Sequence, residues 1–96
     1  MILEHAILNI LPGKTAEFEL AFKEAQQIIS RMQGYVSHEL QRCIENQDQY
    51  LLLIYWQTLE DHTIGFRTSV DYLKWKALLH HFYDPFPKVE HYAKIF

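Results

Sequence analysis

Hydrophobic positions recur along this chain with two different periods, which predict strands in some segments and helices in others. Residues 2–11 are largely apolar and end at the turn Pro12-Gly13, as expected of a strand. Residues 35–43 alternate between two unlike stripes, which predicts a second strand. Residues 50–56 are apolar on both sides and predict a third strand, and residues 88–96 predict a last one.

Helical spacing follows the first turn. Apolar residues recur there at helical intervals over about four turns, and Thr15 is placed to cap this helix. Gly34 stands where a helix often ends in a left-handed residue. The apolar stripe consists of Phe18, Ala21, Phe22, Ala25, Ile28, Ile29 and Met32.

Two further helices are predicted in the second half of the chain. Thr58 and Asp61 form an approximate capping box, which predicts a short helix up to Gly65. Ser69 is placed to cap the next helix. This helix is expected to end by Tyr83, because the proline that follows two residues later disfavours helical geometry in the residue before it.

The order strand, helix, strand, strand, helix, strand predicts a single α+β domain over residues 1–96, with a ferredoxin-like βαββαβ sandwich. Two helices cover only one face of a four-stranded sheet, yet both sides of the third strand are apolar. Leu53 and Ile54, for example, point to opposite faces. Because soluble proteins rarely expose a broad apolar sheet, we expect a homodimer in which the helix-free faces pack together.

Composition excludes several classes of protein. Hydrophobic residues make up 49% and aromatic residues 15%, so a disordered chain is excluded. The net charge is −3 and the basic residues are scattered, which argues against partners such as nucleic acid or a membrane surface. The single Cys43 forms no internal disulfide, and the N-terminal residues lack the basic and apolar regions of a signal peptide. A cytoplasmic location is therefore expected.

Motifs in the second half of the chain carry a family resemblance. Trp56 ends the third strand, Ser69 opens the last helix and Tyr72 follows three positions on. With the early turn at residues 11–14 and Phe18, these motifs make the chain resemble the antibiotic biosynthesis monooxygenase domain family over nearly its whole length. The resemblance implies a dimeric α+β barrel with a pocket between helices and sheet. It also implies activities such as cofactor-free oxidation of quinols and polyketides, or, in one branch, haem degradation.

The haem-degrading branch has a specific pattern, which this sequence does not match. That branch places an Asn on the first strand, a Trp before the helix Ser and a His after it. The matching positions here are Ala6, Phe66 and Lys76. Haem degradation of that type is therefore not expected, although haem binding through another residue stays open.

His62 is the first candidate for chemistry. Leu59, His62, Thr63 and Phe66 share the apolar face of the short helix. A half-buried imidazole with a pKa near neutrality is suited to removing a phenolic proton. The alternative is a core histidine whose ring nitrogens bond to the backbone.

Tyr72 and Trp75 lie on the inward stripe of the last helix. The Tyr72 hydroxyl is a candidate catalytic donor to a substrate oxygen, and Trp75 with Phe66 is a candidate wall for a planar ring. Simple core packing is the alternative.

His38 and His91 are candidate substrate-binding residues, because each lies on the more apolar stripe of its strand and is expected to point toward the helices. Together with His62 they invite a metal interpretation. We do not favour it, because the chain contains no closely spaced ligand pair such as His-x-x-x-His.

These patterns favour a small cofactor-independent monooxygenase that uses O2 on a quinol, phenol or polyketide-like aromatic substrate. The alternative is a dimeric module that binds a small ligand without catalysis, because fold alone does not decide function. A cavity of roughly 300 Å³ or more would favour the enzyme, and a filled core the module.

Overall fold

The computed structural model describes the whole chain, from Met1 to Phe96. Four strands and two long helices alternate in the predicted order, with a π-helical segment before the second helix and a 3₁₀ turn after it. The elements are β1 (Ile2–Asn9), α1 (Thr15–Ile29), β2 (Tyr35–Arg42), β3 (Gln49–Trp56), the π-helical segment (Asp61–Phe66), α2 (Val70–Leu79), the 3₁₀ turn (His80–Phe82) and β4 (Val89–Ala93).

The four strands form one antiparallel sheet in the order β2-β3-β1-β4. This is the strand order of a ferredoxin-like sandwich, so the predicted α+β class and topology are confirmed. The two central strands, β1 and β3, pair along their whole lengths, from Ile2 opposite Trp56 to Asn9 opposite Gln49. No helix combines the length and the apolar character that crossing a bilayer requires.

The even-numbered residues of β1 and β3 form the helix-covered face of the sheet. In β3 each even-numbered residue is buried and each odd-numbered residue is half-buried. Aromatic and aliphatic side chains of α1 and α2 pack onto this face, so the core is a single cluster. Its fully buried members include Trp56, Phe18, Phe66, Leu8, Ile29, Ile54 and Leu79.

The opposite, helix-free face of the sheet is defined by Leu3, His5, Ile7, Leu51, Leu53, Tyr55 and Tyr92. Ile7 is 43% exposed and Tyr92 is 49% exposed, while the three β3 residues are half-buried. The edge of the Tyr92 ring faces the ring of His5, with centroids 5.5 Å apart. The His5 Nδ1 atom is buried without a hydrogen-bond partner. This face is therefore apolar and lacks a covering layer within one chain, as the sequence predicts.

Several element ends differ from the prediction. The prediction that Thr15 caps α1 is wrong, because the helix starts one residue earlier: Lys14 accepts the first backbone bond, from Phe18, and makes no side-chain cap. The Ser69 cap is confirmed, since its hydroxyl accepts from the backbone N–H of Tyr72 at 3.1 Å. The strand predicted for residues 88–96 is shorter, since β4 ends at Ala93.

The predicted short helix is a wider turn. Its backbone includes a bond from the N–H of Arg67 to the carbonyl of His62 at 3.2 Å, five residues back, as in a π-helix. Asp61, at its start, lies against Gly34, where φ is 84°. A Cβ built at Gly34 would fall 2.5 Å from the Cβ of Asp61. A glycine at this turn therefore lets the π-helical segment approach the sheet closely.

Candidate active site

A cavity of about 420 Å³ lies between the helix-covered face of the sheet and α2. The π-helical segment and the chain between α2 and β4 complete its boundary. Fourteen residues line it, and nine of them are hydrophobic. A mostly apolar cavity with a few polar groups is the usual form of a small-molecule site. Its volume exceeds the roughly 300 Å³ that we expect for an enzyme, whereas a filled core would have favoured the non-catalytic module.

Aromatic side chains form one side of this cavity. Phe66 packs edge-on against Tyr72, with ring centroids 5.3 Å apart, and against Trp75 at 5.7 Å. All three rings line the cavity, and Tyr72 is half-buried there. The structure thus brings these three predicted residues together. Contact between them and a substrate stays a prediction.

A buried carboxyl group lies at the base of the site. Glu4 belongs to the helix-covered stripe of β1, with Ala6 and Leu8, and is only 6% exposed. Its Oε1 atom accepts a hydrogen bond from Trp56 Nε1 at 2.9 Å and lies 3.2 Å from His62 Nε2. Burial raises the pKa of Glu4 from 4.5 to about 7, although the Trp56 hydrogen bond and the positive charge of Arg67 oppose the rise.

His62 is enclosed more completely than its position on a short helix indicates. The indole of Trp56 stacks on its ring, with centroids 5.3 Å apart and an interplanar angle of 18°. Burial lowers the pKa of His62 from 6.5 to about 3, and the charges of Arg67 and His91 add to this effect. The prediction of an ionisation near neutrality is therefore wrong, because the desolvated ring stays neutral.

His91 forms the outer end of the same hydrogen-bonded chain. β4 pairs with β1 so that His91 lies opposite Glu4, and its Nε2 atom is 2.8 Å from His62 Nδ1. A neutral imidazole donates through one nitrogen and accepts through the other. If His62 Nε2–H donates to Glu4, then His62 Nδ1 accepts from His91 Nε2–H. In that arrangement the neutral His62 ring carries its proton on Nε2.

His38 does not join this group. It faces the helices, as predicted, but its ring nitrogens bond to the Tyr35 hydroxyl and, at 2.9 Å, to the Gln26 side chain. It does not line the cavity. The expectation that three histidines meet is therefore wrong for His38, because neighbours on α1 and β2 bind both of its nitrogens. No three His, Cys, Asp or Glu side chains are grouped so as to hold a metal ion.

Four polar residues of the cavity were not among the predicted site residues: Glu4, Arg67, His80 and Tyr83. The signal for Glu4 was present, because it is the one acidic residue on an otherwise apolar stripe of the first strand. Arg67, which directly follows the π-helical segment, carries the positive charge that acts on the pKa values of Glu4, His62 and His91. No local motif in the sequence indicated His80 and Tyr83, because it is the path of the chain after α2 that brings them to the cavity.

Comparison with known proteins identifies the family of this chain. The family model described as antibiotic biosynthesis monooxygenase matches residues 1–78. The protein YczJ of Bacillus subtilis strain 168 is 55% identical over 95 residues, which cover 99% of this chain and all of that protein. The chain therefore belongs to the antibiotic biosynthesis monooxygenase family.

Solved structures extend the comparison. A Bordetella bronchiseptica protein assigned to the antibiotic biosynthesis monooxygenases superposes with a TM-score of 0.93 at 32% identity, over 99% of this chain and 97% of that one. A single-residue mutant of SnoaB, a cofactor-independent oxygenase from Streptomyces nogalater, superposes with a TM-score of 0.85 at 16% identity, over 99% and 93% of the two chains. At that identity the second likeness concerns the fold alone.

Proposed function

We propose that this protein is a cofactor-independent monooxygenase that uses O2 to oxidise an electron-rich phenol or quinol of polyketide-like aromatic type. The observation that carries this proposal is the cavity of about 420 Å³, in which an aromatic side faces a buried acid–base group. Family membership and the fold shared with a cofactor-independent oxygenase support it.

The chemistry requires little from the protein beyond binding and proton transfer. Removal of the hydroxyl proton leaves a phenolate, which is rich enough in electrons to give one electron to O2. The resulting phenoxyl and superoxide radicals combine into a peroxide anion, which takes back the proton removed in the first step to become a hydroperoxide. Loss of water from the hydroperoxide gives a quinone. One O2 is consumed for each quinone and each water formed, so the atoms balance without a further reductant.

The residues of the cavity fit distinct tasks in this reaction. Phe66 and Trp75 offer apolar surfaces to a planar ring. Tyr72 lines the cavity, and its hydroxyl would donate to a ligand oxygen on which negative charge develops. Arg67 supplies positive charge at the same cavity and would favour the phenolate over the phenol.

Oxygen uptake tests this function directly. Protein treated with a chelator should consume O2 with at least one member of a panel of hydroquinones and dihydroxynaphthalenes, with one quinone formed per O2. Val89→Phe, which places a larger side chain in the cavity lining, should lower the rate, whereas Leu20→Phe on the exposed side of α1 should not. Binding of the same compounds without any O2 uptake would favour the non-catalytic ligand-binding module.

We also propose that two copies pair through the helix-free face. Its apolar residues lie side by side on β1, β3 and β4, and the chain itself supplies no layer to cover them. A second copy would cover this face with an identical apolar surface, which is the usual form of a symmetric dimer.

A further inference from the structure

The geometry points to Glu4 as the group that takes the hydroxyl proton of the bound aromatic ligand, with His62 and Trp56 as positioning residues that hold one carboxyl oxygen and leave the other for the ligand. This inference rests on the proposed function, since it names the base for that substrate class. It assigns to Glu4 the role that the sequence suggested for His62.

The two oxygens of Glu4 have different surroundings. Oε1 accepts from Trp56 Nε1 at 2.9 Å and lies 3.2 Å from His62 Nε2. Oε2 makes no hydrogen bond to the protein, although Glu4 lines the cavity and is nearly buried. Because Oε2 has no protein donor and is not among the fully buried polar atoms, it is the free acceptor that a ligand hydroxyl in the cavity would bond to.

His62 lacks a free lone pair for the same task. Its Nε2 faces Glu4, and its Nδ1 lies 2.8 Å from His91 Nε2. In the tautomer that serves both contacts, Nε2 carries the proton and Nδ1 accepts one from His91. A ligand hydroxyl would have to break one of these bonds before His62 could accept its proton.

His80 is the remaining rival base. It lines the cavity and makes no side-chain hydrogen bond, and its ring is 5.0 Å from Phe86 and 5.9 Å from Tyr72. Burial lowers its pKa, and the positive charge of Lys76 lowers it further. No neighbouring group fixes the direction of its ring nitrogens. Glu4, in contrast, is held at Oε1 by the hydrogen bond from Trp56 Nε1, with His62 Nε2 3.2 Å away.

The ionisation of Glu4 suits this role. With a pKa of about 7, a large fraction of the carboxyl groups is ionised in neutral solution and able to accept a proton. The titratable groups around it come from every neighbouring element. They are His62 of the π-helical segment, Arg67 directly after it, His91 of β4, Tyr72 of α2, His80 of the 3₁₀ turn and Tyr83 directly after that turn. Arg67 favours the carboxylate, and burial opposes it.

The proton step balances simply. The O–H bond of the ligand breaks, and its electron pair stays on the ligand oxygen. The proton forms a new bond to Glu4 Oε2, so the carboxylate becomes a neutral acid. The electrons that reduce O2 come from the phenolate, and Glu4 returns its proton to the peroxide anion, which becomes the hydroperoxide that then loses water.

The first test needs no substrate. In protein labelled with ¹³C at the glutamate carboxyl, one resonance should titrate near pH 7 and should be absent from Glu4→Gln, whereas Glu24→Gln on α1 should keep it. The ¹⁵N spectrum should show that the His62 ring stays neutral down to pH 5, in the tautomer whose single N–H is at Nε2. Titration of Glu4 near 4.5 together with titration of His62 near 6.5 would overturn the inference.

The second test uses a quinol that the native protein oxidises. Glu4→Gln, which keeps the shape of the side chain, should lower kcat/KM by about 10²- to 10⁴-fold and remove the ionisation from the pH profile. His62→Leu should raise the midpoint of that profile because the carboxylate loses the polar neighbour that lies 3.2 Å away, and His62→Gln should restore it. An unchanged rate and profile in Glu4→Gln would refute the role of Glu4.

A third test separates the two proposals. If the native protein consumes no O2 with any quinol, the proposed function fails, and the role of Glu4 is then decided with 4-nitrophenol, whose ionised form absorbs visible light. The native protein should bind it as the phenolate and Glu4→Gln as the neutral phenol. Equal phenolate fractions on the two proteins would overturn the inference.

Discussion

His62 Nε2 lies 3.2 Å from Glu4 Oε1, the distance of an ion pair, yet in weakly acidic solution neither group is charged. The pKa of Glu4 is raised to about 7 and that of His62 is lowered to about 3, in each case chiefly by burial. In the unfolded chain, between about pH 4.5 and 6.5, the carboxylate is ionised and the imidazole is protonated. Folding therefore moves one proton from the histidine to the glutamate.

The first prediction follows from this exchange. Because the folded and unfolded states hold the same number of protons on this pair between about pH 4.5 and 6.5, the pair adds no pH dependence to stability there. Glu4→Gln removes the carboxyl group that binds a proton on folding, and only the proton loss from His62 remains. The unfolded state then binds one proton more, at His62, so stability should fall as pH decreases, by up to about 1.4 kcal/mol per pH unit relative to the native protein.

The complementary variant, His62→Gln, should show a pH dependence of stability with the opposite sign. In His62→Gln the folded state binds the extra proton, at Glu4, so stability should fall as pH rises from about 4.5 to 7. Urea unfolding at several pH values measures both slopes, and Glu24→Gln serves as the control. Identical slopes in the native protein and both variants would contradict the proton exchange.

The second prediction concerns assembly. We expect the native protein to sediment as a dimer at micromolar concentration and Leu53→Lys to sediment as a folded monomer, because this residue lies on the helix-free face. Leu20→Lys is the matched control: this leucine is 71% exposed on α1, so the same change should leave the dimer intact. A native protein that is monomeric at this concentration would rule out the pairing.

The neighbouring position should respond differently. Ile54 is fully buried among the core side chains on the helix-covered face. Ile54→Asp should therefore lower the free energy of unfolding by about 2–4 kcal/mol or more, whatever the state of assembly. Circular dichroism during urea unfolding measures the loss. A variant of native stability would contradict the assignment of β3 faces.

The third prediction tests the Ser69 cap. Its hydroxyl accepts from the backbone N–H of Tyr72, a residue of the cavity. Ser69→Ala should destabilise the protein by about 1 kcal/mol, since the first turn of α2 loses its side-chain acceptor. Ser30→Ala, at an exposed serine after α1, is the control and should cost less. Equal melting temperatures for the two variants would show that the cap contributes nothing.

The fourth prediction concerns the Tyr72 hydroxyl. Tyr72→Phe keeps the ring against Phe66 but removes one donor from the cavity. A hydrogen bond to a charged oxygen is worth about 1.5–3 kcal/mol, so kcat/KM should fall by about 10- to 160-fold, less than for Glu4→Gln. Tyr35→Phe, whose hydroxyl contacts His38 instead, should leave the rate unchanged. A larger loss for Tyr72→Phe than for Glu4→Gln would identify Tyr72 as the more important group.

The fold followed from the sequence because its main signals are periodic and local. The stripe from Phe18 to Ile29 lies on the buried side of α1. The third strand, predicted from residues that are apolar on both sides, buries its even-numbered residues and half-buries its odd-numbered ones. Thr15 shows the limit of local signals. A residue suited to capping does not fix where a helix begins, because a start one residue earlier or later changes the free energy of the helix little.

The site was only partly predictable, because its properties depend on depth and on distant neighbours. Periodicity placed His62 on an apolar face but did not reveal how completely it is buried, with Trp56 stacked on its ring. This burial lowers its pKa and keeps the ring neutral. His38 was placed on the correct side of the sheet, yet Gln26 binds it away from the cavity. Glu4 was detectable as a carboxylate on an apolar stripe, but its hydrogen bonds join residues 52 positions apart.

The position of Trp56 gives the protein an internal optical reporter. Its indole contacts both members of the pair, through a stack on His62 and a hydrogen bond to Glu4. The chain contains only two tryptophans, so Trp75→Phe leaves a single emitter at this point. The fluorescence of that variant should change with a midpoint near pH 7 and lose this change when Glu4 is also replaced by Gln. The ionisation of one buried carboxyl group would then be visible in real time, without any label.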